Sequence, residues 1–203
     1  MIEIITGRAG EGALQAALVE SMYRLRAEVF HQRLGWDVRV EQGREYDWFD
    51  LIGPRYVVAQ APGQEALACC RLLPTTGPNM LRDVFPQLAD ECGVPVASDL
   101  LEVSRFAVSE RCTEGGFGFS DLPAAMVAAA LELGASQGAR ALVGVTSAAF
   151  ERMLLGMGLV LRRLGRPRRI GRVMSLAFEL PLDAGNLEQA RQHAWPAAIA
   201  RAA

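Results

Sequence analysis

The chain has 203 residues, of which 51% are hydrophobic and 22% are charged, and its formal net charge is −2. This length and composition favour one soluble domain with a sizeable core, and the small net charge gives no general attraction to nucleic acid or to an anionic membrane. All 21 residues of the lysine and arginine class are arginine, which excludes a Schiff-base lysine and a phosphate-loop lysine.

Histidine and cysteine are too few and too scattered for several familiar sites. His31 and His193 are the two histidines, and this argues against a zinc site or a Ser-His-Asp triad. The four cysteines lack Cys-x-x-Cys spacing, so we expect reduced thiols in a cytosolic protein; they are Cys69, Cys70, Cys92 and Cys112. The sequence begins with no secretory signal and has no uncharged apolar run of about 18 residues, which predicts a cytoplasmic protein without a membrane span.

The first half of the chain predicts a strand, a helix, a loop and a hairpin. Residues 1–6 are apolar enough for a short strand, and apolar residues recur at helical spacing over 13–30. Residues 32–53 then predict a loop, and its length favours a functional segment. Strands at 55–60 and 65–73 flank a turn that contains Pro and Gly, which is typical of a hairpin.

The second half predicts helices and strands that complete an α/β fold. The glycine-rich turn at 114–119 either presents backbone N–H groups to a phosphate or pantetheine chain or simply connects two elements. The order of helices and strands along the whole chain predicts a single-domain, three-layer sandwich around one mixed sheet. The predicted elements are a short helix at 81–92, a strand at 100–108, a helix at 122–137 capped by Ser120 and Asp121, a strand at 141–146, a helix at 148–157, strands at 158–164 and 172–180, and a final helix.

Charged residues inside apolar segments are the most informative feature, because charge in a core costs free energy unless it is paired. Arg26 borders the apolar stripe of the first helix, where a long stem with a solvated head is the ordinary interpretation. Arg71 lies within the apolar run 66–73, so its guanidinium requires carboxylates. The available partners are Asp47, Asp50 and Glu102.

Glu102 and Arg105 lie on one predicted strand but on opposite faces. Strand alternation places Glu102 with Ser104 and Phe106, so the strand must bulge if Arg105 is to face the same site. Glu102 is interpreted either as a structural partner of Arg71 or as a carboxylate that acts as a general base.

The predicted loop at 32–53 carries an aromatic residue and two acids with alternative interpretations. Trp36 is either a core or lid tryptophan or a residue that stacks on a flat or cationic ligand. Asp47 and Asp50, which flank Trp48 and Phe49, are either solvated loop acids or part of the charged set.

Six arginines lie within eleven residues near the C-terminus. They form either a solvated basic face or a docking patch for an acidic protein or phosphorylated carrier. No aromatic residues interleave with them, which disfavours nucleic-acid binding. They are Arg162, Arg163, Arg166, Arg168, Arg169 and Arg172.

The ordered set of charged and aromatic residues resembles the LuxI-type acyl-homoserine-lactone synthases, which make bacterial quorum-sensing signals. The resemblance runs from about Arg24 to Leu180 and is most specific at 24–30, 34–36, 70–78 and 101–108. The family's signature residues match Arg26, Phe30, Trp36, Asp47, Asp50, Arg71, Phe85, Glu102 and Arg105.

The resemblance implies a fold similar to the Gcn-type N-acetyltransferases. It implies two substrates, S-adenosylmethionine and an acyl thioester carried on acyl carrier protein or coenzyme A, and no metal or redox cofactor. It also implies one synthase domain over residues 1–203, with S-adenosylmethionine bound by about 1–110 and the acyl chain by about 111–203.

The resemblance also implies roles for individual residues. Glu102 is the expected base, and the other catalytic residues are Arg71, Asp47, Asp50 and Arg105. The S-adenosylmethionine pocket is expected at Arg26, Phe30, Trp36 and Phe85, with the two aspartates facing its cationic groups. The acyl and pantetheine side is expected at Ser104, Arg105, Phe106, Met126, Val145, Thr146 and Phe150, where Thr146 either bonds a 3-keto oxygen or is an ordinary strand residue.

Other functions remain as alternatives to lactone synthesis. One is a different acyl-coenzyme-A-dependent N-acyltransferase of the same fold. Another is a non-catalytic module that binds S-adenosylmethionine or a carrier protein. A third is a protein that binds a polyanion on its arginine patch. Nucleic-acid binding that weakens steeply with salt concentration would support this alternative.

Overall fold

The structure is a computed structural model and describes residues 2–63, 65–112 and 121–194. Within these ranges the chain forms ten strands and five α-helices. The strands are β1 (Glu3–Gly7), β2 (Val40–Glu41), β3 (Arg44–Glu45), β4 (Arg55–Ala61), β5 (Glu65–Pro74), β6 (Leu100–Val108), β7 (Ala141–Ser147), β8 (Arg162–Arg163), β9 (Arg168–Ile170) and β10 (Val173–Pro181). The helices are α1 (Ala16–Arg26), α2 (Met80–Asp83), α3 (Leu122–Ser136), α4 (Ala148–Gly156) and α5 (Ala184–Gln192).

Eight of the strands form one mixed sheet, in the order β1-β4-β5-β6-β7-β10-β8, with β9 added to β10. The β6–β7 pair is parallel, whereas β1–β4 and β7–β10 are antiparallel. The predicted α/β fold with a mixed sheet is therefore confirmed.

Strand β5 is buried on both faces, since every residue from Ala66 to Leu73 is buried. This explains why its sequence is an apolar run and not an alternating pattern.

The chain divides into two compact units. The described residues of the first lie within Met1–Arg71 and Arg105–Ala129 together with Ala194, and those of the second lie within Leu72–Ser104 and Ala130–His193. The first unit has a core in which Leu18, Met22 and Leu25 of α1 pack with residues of β4 and β5. The second has a core in which Leu81 and Leu88 pack with Val143 of β7 and Ala177 of β10.

The predicted loop at 32–53 is wrong for half of its residues. A π-helix over Ala27–Arg33 continues α1, β2 and β3 form a small hairpin, and a 3₁₀-helix covers Trp48–Ile52. In that short helix the carboxylate of Asp50 accepts a hydrogen bond from the backbone N–H of Asp47. Short polar elements of this kind carry too little hydrophobic periodicity to be recognised from a sequence.

Two other predicted elements are also corrected. The helix at 81–92 is divided into α2 and a 3₁₀-helix over Pro86–Ala89, because proline cannot continue a helix that precedes it. The strand at 158–164 is reduced to β8, and β9 was not predicted. The glycine-rich turn at 114–119 and Ser120 lie outside the described residues.

Candidate active site

Three arginines and three carboxylates form a buried charged cluster in the first unit. Six positions contribute, from α1, β3, the 3₁₀-helix, β5 and β6, and the formal charges balance at three positive and three negative. Four of the side chains are at most 1% exposed, whereas Arg105 is 9% and Asp47 is 17% exposed. The members are Arg26, Glu45, Asp47, Asp50, Arg71 and Arg105.

Asp50 is the most fully bonded carboxylate of the charged cluster. Its Oδ1 accepts from Nη1 of Arg26 at 2.9 Å, Nη1 of Arg71 at 2.8 Å and the hydroxyl of Tyr56 at 2.7 Å. Its Oδ2 accepts from Nη2 of Arg26 at 2.9 Å and the backbone N–H of Asp47 at 2.8 Å. These five donors occupy the acceptor capacity of a carboxylate, so Asp50 holds the arginines in place and has no lone pair left for a substrate.

Asp47 is the carboxylate of the charged cluster that reaches solvent. Its Oδ1 accepts from Arg71 Nη1 at 2.6 Å, and its Oδ2 lies 2.9 Å from Nη2 of Arg105. Its Oδ2 also accepts from Arg71 Nη2 at 3.2 Å, so Asp47 is held in orientation while 17% of its side chain remains exposed. It is therefore the acid best placed to meet a cationic ligand group.

Glu45 belongs to the charged cluster, although the sequence did not single it out. Its Oε2 accepts from Arg26 Nε at 2.5 Å, and its Oε1 accepts from Nε and Nη2 of Arg105 at 3.1 and 3.0 Å. Charge balance is the signal that could have found Glu45, because three arginines in one buried cluster require three acids. From the sequence, the candidate partners of Arg71 are Asp47, Asp50 and Glu102, and Glu45 is not among them.

The charges of the cluster keep one another ionised. Burial lowers the pKa of Arg26, but the charges of Asp50 and Glu45 outweigh it and raise the pKa well above its ordinary value. Burial likewise raises the pKa of Asp50, but Arg26 and Arg71 outweigh it and hold the pKa well below the ordinary range. The interpretation of Arg26 as a snorkelling residue with a solvated head is therefore wrong, as is that of Asp50 as a solvated loop acid.

The backbone of β6 explains how Arg105 reaches the charged cluster. Arg105 has a φ of +54°, a left-handed conformation that interrupts strand alternation. The parallel pairing with β7 covers Leu100–Val103 and precedes this residue. Strand alternation is therefore interrupted at Arg105 itself.

Aromatic rings lie beside the charged cluster. Phe30 stacks on Trp36 with centroids 5.2 Å apart, and Cζ of Arg105 lies 5.4 Å from the Phe30 centroid. The Nε1 of Trp36 is buried and has no acceptor among the described residues. A buried N–H without an acceptor is costly, so this donor suits a ligand that brings one.

Glu102 lies in the second unit and is completely buried. Its Oε1 accepts a hydrogen bond of 2.5 Å from the backbone N–H of Leu81, in the first turn of α2, where helix N–H groups have no partner within the helix. Phe85, which follows this helix, packs against the second core. Glu102 is thus a fixed carboxylate, and both of its interpretations still stand.

Comparison with known proteins identifies the family. The family model described as autoinducer synthase matches residues 12–190. An acyl-homoserine-lactone synthase from Rhizobium radiobacter is 37% identical over 177 residues, which cover 86% of this chain and 84% of that protein. The chain belongs to the autoinducer synthase family. The enzyme is therefore an acyltransferase.

Solved structures agree with this assignment. The structure of the coenzyme-A-dependent acyl-homoserine-lactone synthase BjaI, with S-adenosylmethionine and isopentyl-coenzyme A, has a TM-score of 0.87 and 25% identity, and the match covers 99% of this chain and 93% of that one. A putative N-acetyltransferase from Lactobacillus plantarum has a TM-score of 0.59 at 15% identity, with 90% of this chain and 99% of that one covered. The second likeness shows the fold alone, and it confirms the expected similarity to N-acetyltransferases.

Residues expected on the acyl side of the synthase are divided between the units. Val145, Thr146 and Phe150 follow one another through the end of β7 into α4, and all three are half-buried. The hydroxyl of Ser147 caps α4 by accepting from the backbone N–H of Phe150 at 3.1 Å. Met126 is buried in α3, and Ser104 and Phe106 flank Arg105 on β6.

The arginine-rich segment of the synthase is largely neutralised. Four of its six arginines pair with carboxylates, namely Arg162 with Glu179, Arg163 with Glu151, Arg166 with Glu91 and Arg168 with Asp90. Six positive and four negative charges leave a formal charge of +2. All six arginines are exposed, so the solvated basic face and the docking patch both still stand, with a reduced charge.

The described part of the synthase contains no group of three or more histidine, cysteine, aspartate and glutamate side chains that could hold a metal ion. Among the same residues, every helix is too short or too polar to span a bilayer. All four cysteines are free thiols.

Proposed function

We propose that this synthase makes an acyl-homoserine lactone from S-adenosylmethionine and an acyl thioester and releases methylthioadenosine. The observation that carries the proposal is a balanced, buried charged cluster with one solvent-reaching acid, Asp47, in a chain 37% identical to an acyl-homoserine-lactone synthase. Pre-organised charges of this kind bind a charged substrate without reorganising. Free cysteines are consistent with a cytoplasmic location.

The first chemical step is N-acylation. The ammonium group of S-adenosylmethionine loses a proton, and the resulting amine attacks the thioester carbonyl. An amide bond forms, the carbon–sulfur bond breaks, the thiolate takes a proton, and one proton is released overall. Glu102 is the proposed base, either directly or through water, because it is a buried carboxylate that a backbone N–H holds in position.

The second step is lactonisation. The methionine carboxylate attacks its own γ-carbon, the carbon–sulfonium bond breaks, and methylthioadenosine leaves with the electron pair. No proton is transferred and the leaving group is already activated, so positioning is the main requirement.

The residues beside the charged cluster have distinct proposed roles in binding S-adenosylmethionine. Asp47 faces a cationic group, since it is the acid that reaches solvent. Trp36 and Phe30 offer a stacked aromatic surface and the unpaired Nε1 donor of Trp36. Arg26, Arg71 and Asp50 hold this arrangement in place. Phe85, which packs with the second core, remains the fourth proposed contact.

On the acyl side, Ser104, Phe106, Met126, Val145, Thr146 and Phe150 remain the proposed contacts, and Arg105 is assigned to the charged cluster by its bonds to Glu45. If acyl carrier protein is the donor, the remaining formal charge of +2 on the arginine-rich segment supports docking of that acidic protein there. Arg169 and Arg172 are both exposed and supply that remainder.

The test is a turnover assay read by mass spectrometry. Purified protein receives S-adenosylmethionine with straight and branched acyl thioesters of coenzyme A and of acyl carrier protein. An acyl-homoserine lactone together with methylthioadenosine would support the proposal and name the donor. Acylation of another amine without consumption of S-adenosylmethionine would replace it with an ordinary N-acyltransferase.

A further inference from the structure

A tyrosine hydroxyl completes the bonding of Asp50. Tyr56 lies in β4 and is 1% exposed, and its hydroxyl donates to Oδ1 of Asp50 at 2.7 Å. The same oxygen accepts from Arg26 and Arg71 at 2.9 and 2.8 Å. Tyr56 is therefore a neutral third donor at the atom where both arginines meet.

The direction of the hydrogen bonds around Tyr56 follows from its single proton. Because that proton goes to Asp50, the Tyr56 oxygen can only accept any further hydrogen bond. Burial, followed by the charge of Asp50, raises the pKa of Tyr56 far above its ordinary value. Tyr56 consequently remains a donor throughout the range in which the protein is folded.

We propose that Tyr56 is a positioning residue for S-adenosylmethionine, acting through Asp50 and Arg71 on Asp47. The inference rests on the proposed function, because it assigns Asp47 to that substrate. Sequence comparison of charged residues does not point to it, since Tyr56 is uncharged and lies in an apolar strand.

The path from Tyr56 to the substrate acid consists of three direct contacts. Tyr56 holds Oδ1 of Asp50, and that oxygen holds Nη1 of Arg71. The same Nη1 donates to Asp47 Oδ1 at 2.6 Å. Without the hydroxyl, Oδ1 is left to the two arginines alone, so Asp50 shifts toward them and Arg71 turns with it. A shift at Asp47 then weakens a contact made to S-adenosylmethionine and not to the acyl donor.

The experiment is Tyr56→Phe, which removes one oxygen and keeps the ring. We expect the Kd and the KM for S-adenosylmethionine to rise about tenfold, as for loss of a hydrogen bond to a charged group. The KM for the acyl thioester should stay within about twofold, because no step of the path reaches it. Calorimetric titration gives the Kd, and thermal denaturation checks that the variant is folded.

Two further tyrosines supply matched variants. Tyr46→Phe removes a hydroxyl that donates to Glu41 outside the charged cluster, and it should leave both KM values unchanged. Tyr23→Phe removes a hydroxyl from a ring that lies 5.4 Å from Cζ of Arg26 and should raise the KM for S-adenosylmethionine by a smaller factor.

An unchanged KM and Kd for S-adenosylmethionine in Tyr56→Phe would overturn the inference. Equal losses for both substrates, accompanied by a lower Tm, would also overturn it, because they would show general structural damage. Wild-type protein that binds S-adenosylmethionine but makes no lactone would refute the proposed function. In that case the Kd of Tyr56→Phe for S-adenosylmethionine, divided by the wild-type Kd, would still decide the role of Tyr56.

Discussion

At the scale of single residues, the charged cluster shows how burial separates supporting groups from binding groups. Arg26 and Asp50 are almost completely buried and fully bonded, whereas Asp47 keeps part of its surface in solvent. A buried ion pair is weak evidence for stability, because desolvation offsets its Coulomb energy. Its members are better understood as a rigid frame for the acid that meets solvent.

Glu45→Gln tests whether the third acid is required for this frame. Loss of its charge leaves Arg26 and Arg105 short of a buried partner, so we expect a loss of about 3–5 kcal/mol in the free energy of unfolding. Urea denaturation measures it. Glu41→Gln is the control on the same hairpin, because Glu41 pairs with Arg39 at the surface, and its effect should be much smaller. Equal effects from the two variants would contradict the assignment of Glu45.

Glu102→Gln tests the proposed base. Glutamine keeps an oxygen that accepts from Leu81 but cannot take a proton at neutral pH, so kcat should fall by about 10²–10⁴-fold while the Tm changes little. Stopped-time product assays and thermal denaturation measure the two quantities. Near-normal kcat would leave Glu102 with a structural role only.

The low pKa of Asp50 predicts that the free energy of unfolding decreases at acid pH. Its folded pKa lies below the unfolded value of 3.8, so its contribution is fully present above about pH 5 and is lost as the pH falls through 3.8 toward the folded pKa. Urea denaturation between pH 3 and 7 should show this fall. Asp50→Asn should remove part of the pH dependence, and an equally steep acid limb in that variant would contradict the assignment.

At the scale of elements, long apolar patterns were predicted well and short polar elements were not. Strand β6 has the predicted bounds, and β4, β5, α4 and β7 agree within one or two residues, because burial fixes them. The π-helix, the β2–β3 hairpin and β9 were missed, since tertiary contacts and not periodicity stabilise them. The left-handed conformation of Arg105 was not predicted, because nothing in the local sequence indicates it for a residue other than glycine.

The β6–β7 junction gives a prediction about packing. A Cβ on Gly144 would lie 2.5 Å from the carbonyl oxygen of Val103, a backbone atom that cannot yield easily. Gly144→Ala should therefore cost about 1–3 kcal/mol in the free energy of unfolding. Gly156→Ala, at the end of α4, meets no atom within 4 Å and should be neutral or slightly stabilising. Equal stabilities of the two variants would contradict the close approach of the strands.

Strand β5 also predicts thiol reactivity. Burial raises the pKa of Cys69 to about 12 and that of Cys70 further, so both remain protonated and unreactive at pH 8. Cys92 is exposed and should react first with a thiol reagent in native protein, and Cys92→Ser should abolish this fast phase. A fast phase that survives in Cys92→Ser would contradict the burial of the other three thiols, Cys69, Cys70 and Cys112.

At the scale of the whole molecule, the order of charged and aromatic residues was enough to predict the family and its reaction. It was not enough to predict the hydrogen bonds within the site. The sequence pointed to five of the six residues of the charged cluster, and the sixth, Glu45, required the folded hairpin. It could not show that Asp50 is enclosed whereas Asp47 reaches solvent, because that difference depends on how the fold packs around each carboxylate.

The product assay tests the central claim most directly. Free thiol, methylthioadenosine and lactone are measured together in one reaction that contains S-adenosylmethionine and an accepted acyl thioester. The proposed mechanism predicts that all three form in equal amounts, because each turnover releases one thiol and expels one methylthioadenosine. Thiol release without methylthioadenosine would contradict lactone synthesis.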